Sequence, residues 1–293
     1  MPGLDAWNEQ LLINDKSSVN GNTRFAQEYS KEIRDVISRY AVRLPRTLQR
    51  HLGPSELGHG CDAQLIGKMA GVSFGHSSGS ALHDPWASLM GTWGHAGMEE
   101  ALGWDAADPD PGKSDLENGK NPGRWFTERR VTPDPKAKQP HPGTADLYDA
   151  KYKLLGDYKF QSEGVRAKLK RNGPPPHYYW QMLLYALGYI NEGFEVERVM
   201  LISMPRTASS MDDIYCWEHT ITPEDWQGVQ DLLKKTEIRE QLAELVVKGE
   251  LAWEDIPVTP SESDCQYCGF FNPRKAVDPK AWGCAGMELI RKS

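Results

Sequence analysis

Two short strand-like runs, Thr144 to Tyr148 and Lys153 to Phe160, stand four residues apart in the chain. That spacing predicts two adjacent strands joined by a short turn. A helix is expected from about His177 to Asn191, a buried strand from Val196 to Ser203, and one or two amphipathic helices from Pro223 to Gly249. Strands alternating with helices imply an α/β fold, a central mixed sheet flanked by helices. Upstream, Trp125 to Val131 suits a further strand and Trp86 to Trp104 a helix, with Leu89, Trp93, Met98 and Leu102 near one face. From about Ser30 to His51, Ile33, Val36, Ile37, Tyr40, Val42 and Leu44 recur at helical spacing until Pro45 interrupts. The five arginines among them suit a solvated face or a phosphate-contacting one. Gly71 to Gly79 reads as a flexible loop.

The paired strands carry the chemistry. Asp146 lies in the first, in Gly143-Thr144-Ala145-Asp146, and Asp157 and Lys159 lie two residues apart in the second. Side chains at i and i+2 leave a strand on the same face, and Asp146 can approach that face if the strands pair. Two carboxylates make a hard-oxygen site for Mg²⁺ or Mn²⁺, and a neighbouring lysine can position water or support negative charge. Short Asp-x-Lys triplets also arise by chance on solvated hairpins. On the first helix, His95 and Glu99 share a face, and Gln181 and Tyr185 share one on the later helix. A buried histidine and a core helix with two polar tips are the plainer alternatives.

Taken in order, a histidine helix, Gly-x-x-Asp, acid-x-Lys and Gln-x-x-x-Tyr resemble the RecB-like branch of the PD-(D/E)XK nucleases over about Gly91 to Ser203. The resemblance implies a restriction-endonuclease-like core at 85–250, after a helical region at 1–84 and before a cysteine-rich segment at 251–293. It implies metal ligands at His95, Asp146, Asp157 and the Tyr158 backbone carbonyl, a catalytic Lys159, and a supporting pair in Gln181 and Tyr185. Ala145 stands where the family name has proline, and Asp157 is the shorter acid where glutamate is commoner. The implied activity is metal-dependent hydrolysis of DNA by an exonuclease, in recombination, repair or replication. A non-catalytic DNA-binding protein of the same fold and a structure-specific endonuclease are the alternatives.

Five cysteines are an odd number, which disfavours full disulfide pairing. Cys265 and Cys268 form a C-x₂-C pair, Cys284 follows, and Cys61 lies far upstream. Cys216 reads as a core strand residue. Three C-terminal cysteines suit a zinc site completed by His219 or Cys216. One distant cysteine plus three near the C-terminus instead resembles the four-cysteine [4Fe–4S] clasp of RecB-like exonucleases, among them the CRISPR-associated adaptation nucleases and AddB-type subunits. That resemblance assigns Cys61, Cys265, Cys268 and Cys284 to an iron–sulfur cluster, with structural zinc as the alternative.

The net charge of −7 excludes binding to nucleic acid through bulk positive charge. Arg166, Lys168, Lys170 and Arg171 nevertheless fall within six residues, read as a basic loop beside the candidate site and a DNA contact. Tyr178, Tyr179 and Trp180 are candidates for stacking on unpaired bases. The expected partner is DNA, single-stranded or at ends. No phosphate-binding G-x-x-x-x-G-K-[ST] loop occurs, so unwinding would fall to a helicase or recombination partner. No apolar run reaches the roughly 20 residues needed to span a membrane, and the first residues lack a signal-peptide pattern. The expected setting is the cytoplasm of a bacterium or a phage-infected cell.

Overall fold

The computed structural model describes residues 24–43, 52–73, 86–114, 116–207, 210–265 and 268–291. The chain divides into two compact units, residues 1–47 and 48–293. Of the first, the described part is helix α1, Arg24–Arg43, which exposes Ile33, Val36 and Tyr40 along one side. The expected continuation through Leu44, Pro45 and Arg46 to His51 lies outside the described residues, as does most of the expected loop at 71–79.

The second unit is built on a mixed sheet whose strand order follows the chain. Its strands are β1 (Trp125–Val131), β2 (Gly143–Asp149), β3 (Leu154–Gln161), β4 (Arg198–Pro205) and β5 (Tyr215–Thr220). β1, β2 and β3 pair antiparallel, β4 joins β3 in parallel, and β5 closes the order antiparallel to β4. The parallel step requires a crossover, which is made by α5 (Glu163–Asn172) and α6 (Pro176–Asn191). The segment expected as a basic loop is therefore a helix. Its inner side is formed by Arg166 and Leu169, too little apolar surface to declare a helical period in the sequence.

Helix α6 is nearly all apolar from Met182 to Ala186 because it is covered on both sides. It packs on β1 to β4 and on the short helix α2 (Pro54–Leu57). Its cluster includes Tyr148, Leu155, Val199 and Leu201 from the sheet and Leu52, Leu57 and Leu65 from the segment before it. Helix α4 (Trp86–Ala106) packs on β1 and β3, where Met98 and Leu102 meet Leu147, Tyr158 and Met204. Pro223–Lys248 forms one continuous helix, α7, and α3 (Asp62–Met69) packs on it. The last segment holds two short helices, α8 (Glu262–Cys265) and α9 (Glu288–Arg291). A separate cluster of Ala63, Ile66, Trp253 and Phe270 joins it to α3. No helix among the described residues is long and apolar enough to cross a membrane.

Candidate active site

The β2–β3 ladder runs from Asp149↔Leu154 to Leu147↔Gly156 and then parts. Beyond it, Asp146 Oδ2 accepts the Tyr158 N–H at 2.7 Å, so a carboxylate takes the place of a strand carbonyl. Asp157 and Lys159 leave β3 on one side, as their spacing requires, with Lys159 Nζ 2.5 Å from Asp157 Oδ2. From α6, Gln181 Nε2 donates to Asp157 Oδ1 at 2.8 Å. Tyr185, one turn further along, is also buried. Asp157 is 1% exposed, and the Lys159 ammonium is the partner of its Oδ2.

The histidine arrives from α4. A Cβ at Gly94 would lie 2.3 Å from Phe160 Cζ, so glycine lets this helix close on β3 immediately beside His95. His95 Nδ1 stands 3.5 Å from Asp146 Oδ1 and 3.6 Å from Glu128 Oε1. Ligand atoms of His95, Glu128 and Asp146 all lie within 4.8 Å of one another, a spacing that suits a metal ion. Glu99, expected to share the histidine's face, is exposed on α4.

Glu128 is the residue the sequence did not single out. It sits in the middle of β1 with φ 47°, in the left-handed region. The β1–β2 register passes from Thr127↔Leu147 to Arg129↔Ala145, which places Glu128 across from Asp146. Phe126 and Val131, five residues apart, both join the cluster against α6, as do Ala145 and Tyr148, three apart. Strict alternation forbids an odd separation on one face. Both strands thus change phase where Glu128 and Asp146 face each other, and a period-two reading carries no sign of it.

The charges are strongly coupled. Burial, reinforced by the negative Asp157, raises the Asp146 pKa to about 7. The Glu128 carboxylate, with a smaller contribution from Asp146, holds the His95 imidazole above its usual pKa against the opposing effect of burial. Burial works against the charge of Lys159, but Asp157 and Asp146 outweigh it and its pKa is raised. Burial, and then the two aspartates, push the Tyr185 hydroxyl upward. A set in which one acid resists ionisation beside another is one that a cation would relieve.

Of the four cations expected to contact DNA, Lys168, Lys170 and Arg171 are exposed on α5. Arg166 corrects that expectation: it is 2% exposed, bonded to Glu163 Oε2 at 2.8 Å and to the Asp213 carbonyl. A guanidinium used this way fastens α5 to the turn before β5. Tyr178, Tyr179 and Trp180 are half-buried. Lys159 Nζ lies 5.0 Å from the Tyr178 ring centroid, and Tyr179 bonds Asp225 and His219.

Cys61, Cys265, Cys268 and Cys284 line one cavity, with Trp253 and Phe270 in its wall. Cys61 sits at the start of α3, Cys265 closes α8, and Cys284 forms an isolated bridge with Phe271. Backbone N–H groups of Ser261 and Gly286 point at the sulfurs of Cys265 and Cys284, at 3.4 and 3.2 Å. Burial pushes the Cys268 thiol up to about 11, and the other three cysteines add to the rise. Cys216, expected in the core, is exposed on β5, because Tyr215 and Trp217 take the inner phase. His219 is bonded to Asp225 at 2.7 Å. Neither Cys216 nor His219 lines the cysteine cavity.

No protein-family model and no curated protein matches the chain significantly. Among solved structures, it is similar to the protein SSO0001, with 13% identity, a TM-score of 0.45, and coverage of 83% of this chain and 94% of that one. It is also similar to the alkaline exonuclease LHK-Exo from Laribacter hongkongensis, at 13% identity and TM-score 0.40, covering 69% of this chain and 94% of the other. The same enzyme in complex with dAMP gives 14% identity, TM-score 0.42, and coverage of 69% and 95%.

Proposed function

We propose that this chain is a divalent-metal-dependent deoxyribonuclease, an exonuclease that hydrolyses phosphodiester bonds from DNA ends or single strands. The observation that carries this reading is the meeting of Asp146, Asp157 and Lys159 where two strands part, with His95 reaching in from α4 and Gln181 from α6. The buried Asp157 carboxylate and the raised pKa of Asp146 suit a cation held by carboxylate oxygens. His95, Asp146, Asp157 and the Tyr158 carbonyl are the proposed ligands, for Mg²⁺ or Mn²⁺. Bound there, the ion neutralises charge at the scissile phosphate and lowers the pKa of the attacking water.

The protein's own groups supply the rest. Gln181 fixes one oxygen of Asp157, which keeps the other turned toward Lys159. Lys159, held in its ammonium form, places positive charge where the phosphorane-like transition state gathers negative charge. Water attacks phosphorus in line, the opposite P–O bond breaks, and the departing oxygen takes up a proton. Lys168, Lys170 and Arg171 are the proposed backbone contacts, and a helicase or recombination partner would present the strand.

The cysteine cavity supports an iron–sulfur clasp. Burial raises the thiols of Cys268 and Cys284, and a bound cationic centre would favour their thiolate form. Thiolates suit a four-iron cluster or tetrahedral zinc alike, and the cluster is the assignment we propose. Anaerobically purified protein is expected to be brown and to contain iron; colourless protein with stoichiometric zinc would reverse that assignment.

The deciding experiment incubates end-labelled linear and circular single- and double-stranded DNA with and without Mg²⁺ or Mn²⁺. Linear DNA should be degraded only with metal, and Lys159→Ala should slow this by about 100-fold or more while leaving DNA binding intact. Degradation of circles at the same rate would favour an endonuclease. A variant as fast as the parent would remove Lys159 from the chemistry, and no degradation of any substrate would leave the non-catalytic DNA-binding alternative.

A further inference from the structure

We propose that His59 and His177 form a stacking position for an unpaired nucleobase of the strand being cut. The proposal rests on the nuclease reading above and names single-stranded DNA as the form of substrate the site accepts. The two imidazoles lie nearly parallel, with ring centroids 5.2 Å apart and an interplanar angle of 10°. The His177 ring meets Tyr178 edge-on at 4.4 Å, and Lys159 Nζ lies 5.0 Å from the Tyr178 centroid. One aromatic ring therefore separates the histidine stack from the amine proposed to face the scissile phosphate. A nucleobase is joined to its phosphate through one sugar, a span of comparable size.

The pair is held in place by the fold. A Cβ at Gly58 would stand 2.8 Å from Trp180 Cβ and 3.1 Å from His177 Cα, so glycine lets the end of α2 close on α6. The buried Arg239 guanidinium, from α7, bonds the carbonyls of Leu57 and His59 at 3.0 and 3.2 Å and fixes the His59 backbone. Both histidines are half-buried, and among the described residues no group bonds a ring nitrogen of either. Burial, and then the neighbouring His59, lowers the His177 pKa, so this ring is uncharged at neutral pH. The aromatics singled out in the sequence are engaged elsewhere: Tyr179 bonds Asp225, and Trp180 packs against Gly58 and Gly228. Lys159 and the exposed Lys168, Lys170 and Arg171 suit phosphates, and the uncharged ring suits a base. Stacking on imidazole requires a base freed from its neighbours, which a duplex does not offer.

Fluorescence anisotropy on the full chain tests this by comparing end-labelled oligothymidine with a sugar–phosphate strand of equal length that lacks bases. Thermal melts and the metal content of the thiol centre verify that each variant is folded, since His59 lies two residues from Cys61. The parent should bind the base-bearing strand more tightly. His177→Ala should lose about 10-fold in affinity for that strand, and His59→Ala a smaller amount, while both bind the baseless strand as the parent does. His177→Phe, which keeps a flat ring, should retain the parental preference. Equal losses on the two strands would make the histidines a contact between α2 and α6 and overturn the proposal. Parental affinities in folded His177→Ala would overturn it as well. Digestion of oligothymidine by the parent, with Mg²⁺ or Mn²⁺ added, separates the two readings. Digestion without a base preference lost in His177→Ala overturns the stacking position alone. A preference lost in that variant, in a parent that digests nothing, supports the stacking position and overturns the nuclease reading.

Discussion

Glu128 holds a left-handed backbone in the middle of a strand, a conformation that costs a residue bearing a Cβ about 1–2 kcal/mol. Lys153 shares the sign of φ but sits in the turn between β2 and β3, where such backbones are ordinary. Asparagine tolerates the left-handed region better than glutamate, and glycine better still. Glu128→Asn should therefore stabilise the metal-free protein by about 1 kcal/mol, measured as a shift of the urea midpoint in excess chelator. Added Mn²⁺ should stabilise the parent more than this variant, so the order of stability narrows or reverses. If the variant is less stable without metal, the strain is not confined to that backbone. The same residue marks the limit of what the sequence disclosed. Asp157 with Lys159, and Gln181 with Tyr185, were legible because two and four residues along regular elements put side chains on a shared face. Glu128 depends on a phase change in two strands at once, and nothing in Trp125 to Val131 announces one. Arg166 misled for a related reason: a cation among cations reads as surface, yet its guanidinium is buried and bonded to Glu163 and the Asp213 carbonyl.

Among the elements, α7 is the one whose ends are written most plainly. Thr222 and Asp225 form a reciprocal cap, with Thr222 N–H donating to Asp225 Oδ2 at 2.7 Å, Pro223 in the first turn, and Gly249 at φ 73° ending the helix. The pattern Thr-Pro-Glu-Asp with a distant glycine can be read directly, and only the choice between one helix and two needed coordinates. Strand β5 was harder, since Ile214 to Trp217 is apolar throughout and gives no phase; pairing to β4 decides that Cys216 points outward. Asp225 also accepts from Tyr179 and His219, and these bonds, opposed by burial, lower its pKa to about 2 from 3.8. A carboxylate depressed on folding contributes stability above its unfolded pKa, and that contribution is lost as pH falls through the folded value. Asp225→Asn should accordingly cost about 1–2 kcal/mol at neutral pH. The difference from the parent should shrink between about pH 4 and pH 2. Urea unfolding at both extremes measures it, and a pH-independent difference would assign the effect to shape rather than charge.

At the scale of the whole molecule, the last segment has little secondary structure of its own to hold it. Among the described residues its elements are short helical turns and one isolated bridge, Phe271↔Cys284. What attaches it is the small cluster of Trp253, Phe270 and Trp282 over Ala63 and Ile66, and the four thiols lining one cavity beside that cluster. Cys61 and Cys265 are about 200 residues apart, and linking such a loop is worth roughly 5 kcal/mol in lost freedom of the unfolded chain. The four-cysteine pattern could be read from spacing, but the aromatic lid over α3 could not, because these aromatics follow neither a helical nor a strand period. If a metal centre on the thiols supplies most of the attachment, Cys61→Ala should free the segment while the sheet, α6 and α7 remain folded. Arg274 and Lys280 are exposed within it and offer trypsin two sites. Limited proteolysis followed by mass spectrometry should show cleavage at these positions accelerated by about 10-fold or more in the variant, in proportion to the population of the opened state. Far-ultraviolet circular dichroism should change little. Cleavage at parental rates would mean that Trp253, Phe270 and Trp282 hold the segment alone, and the thiols would then need another explanation for their convergence.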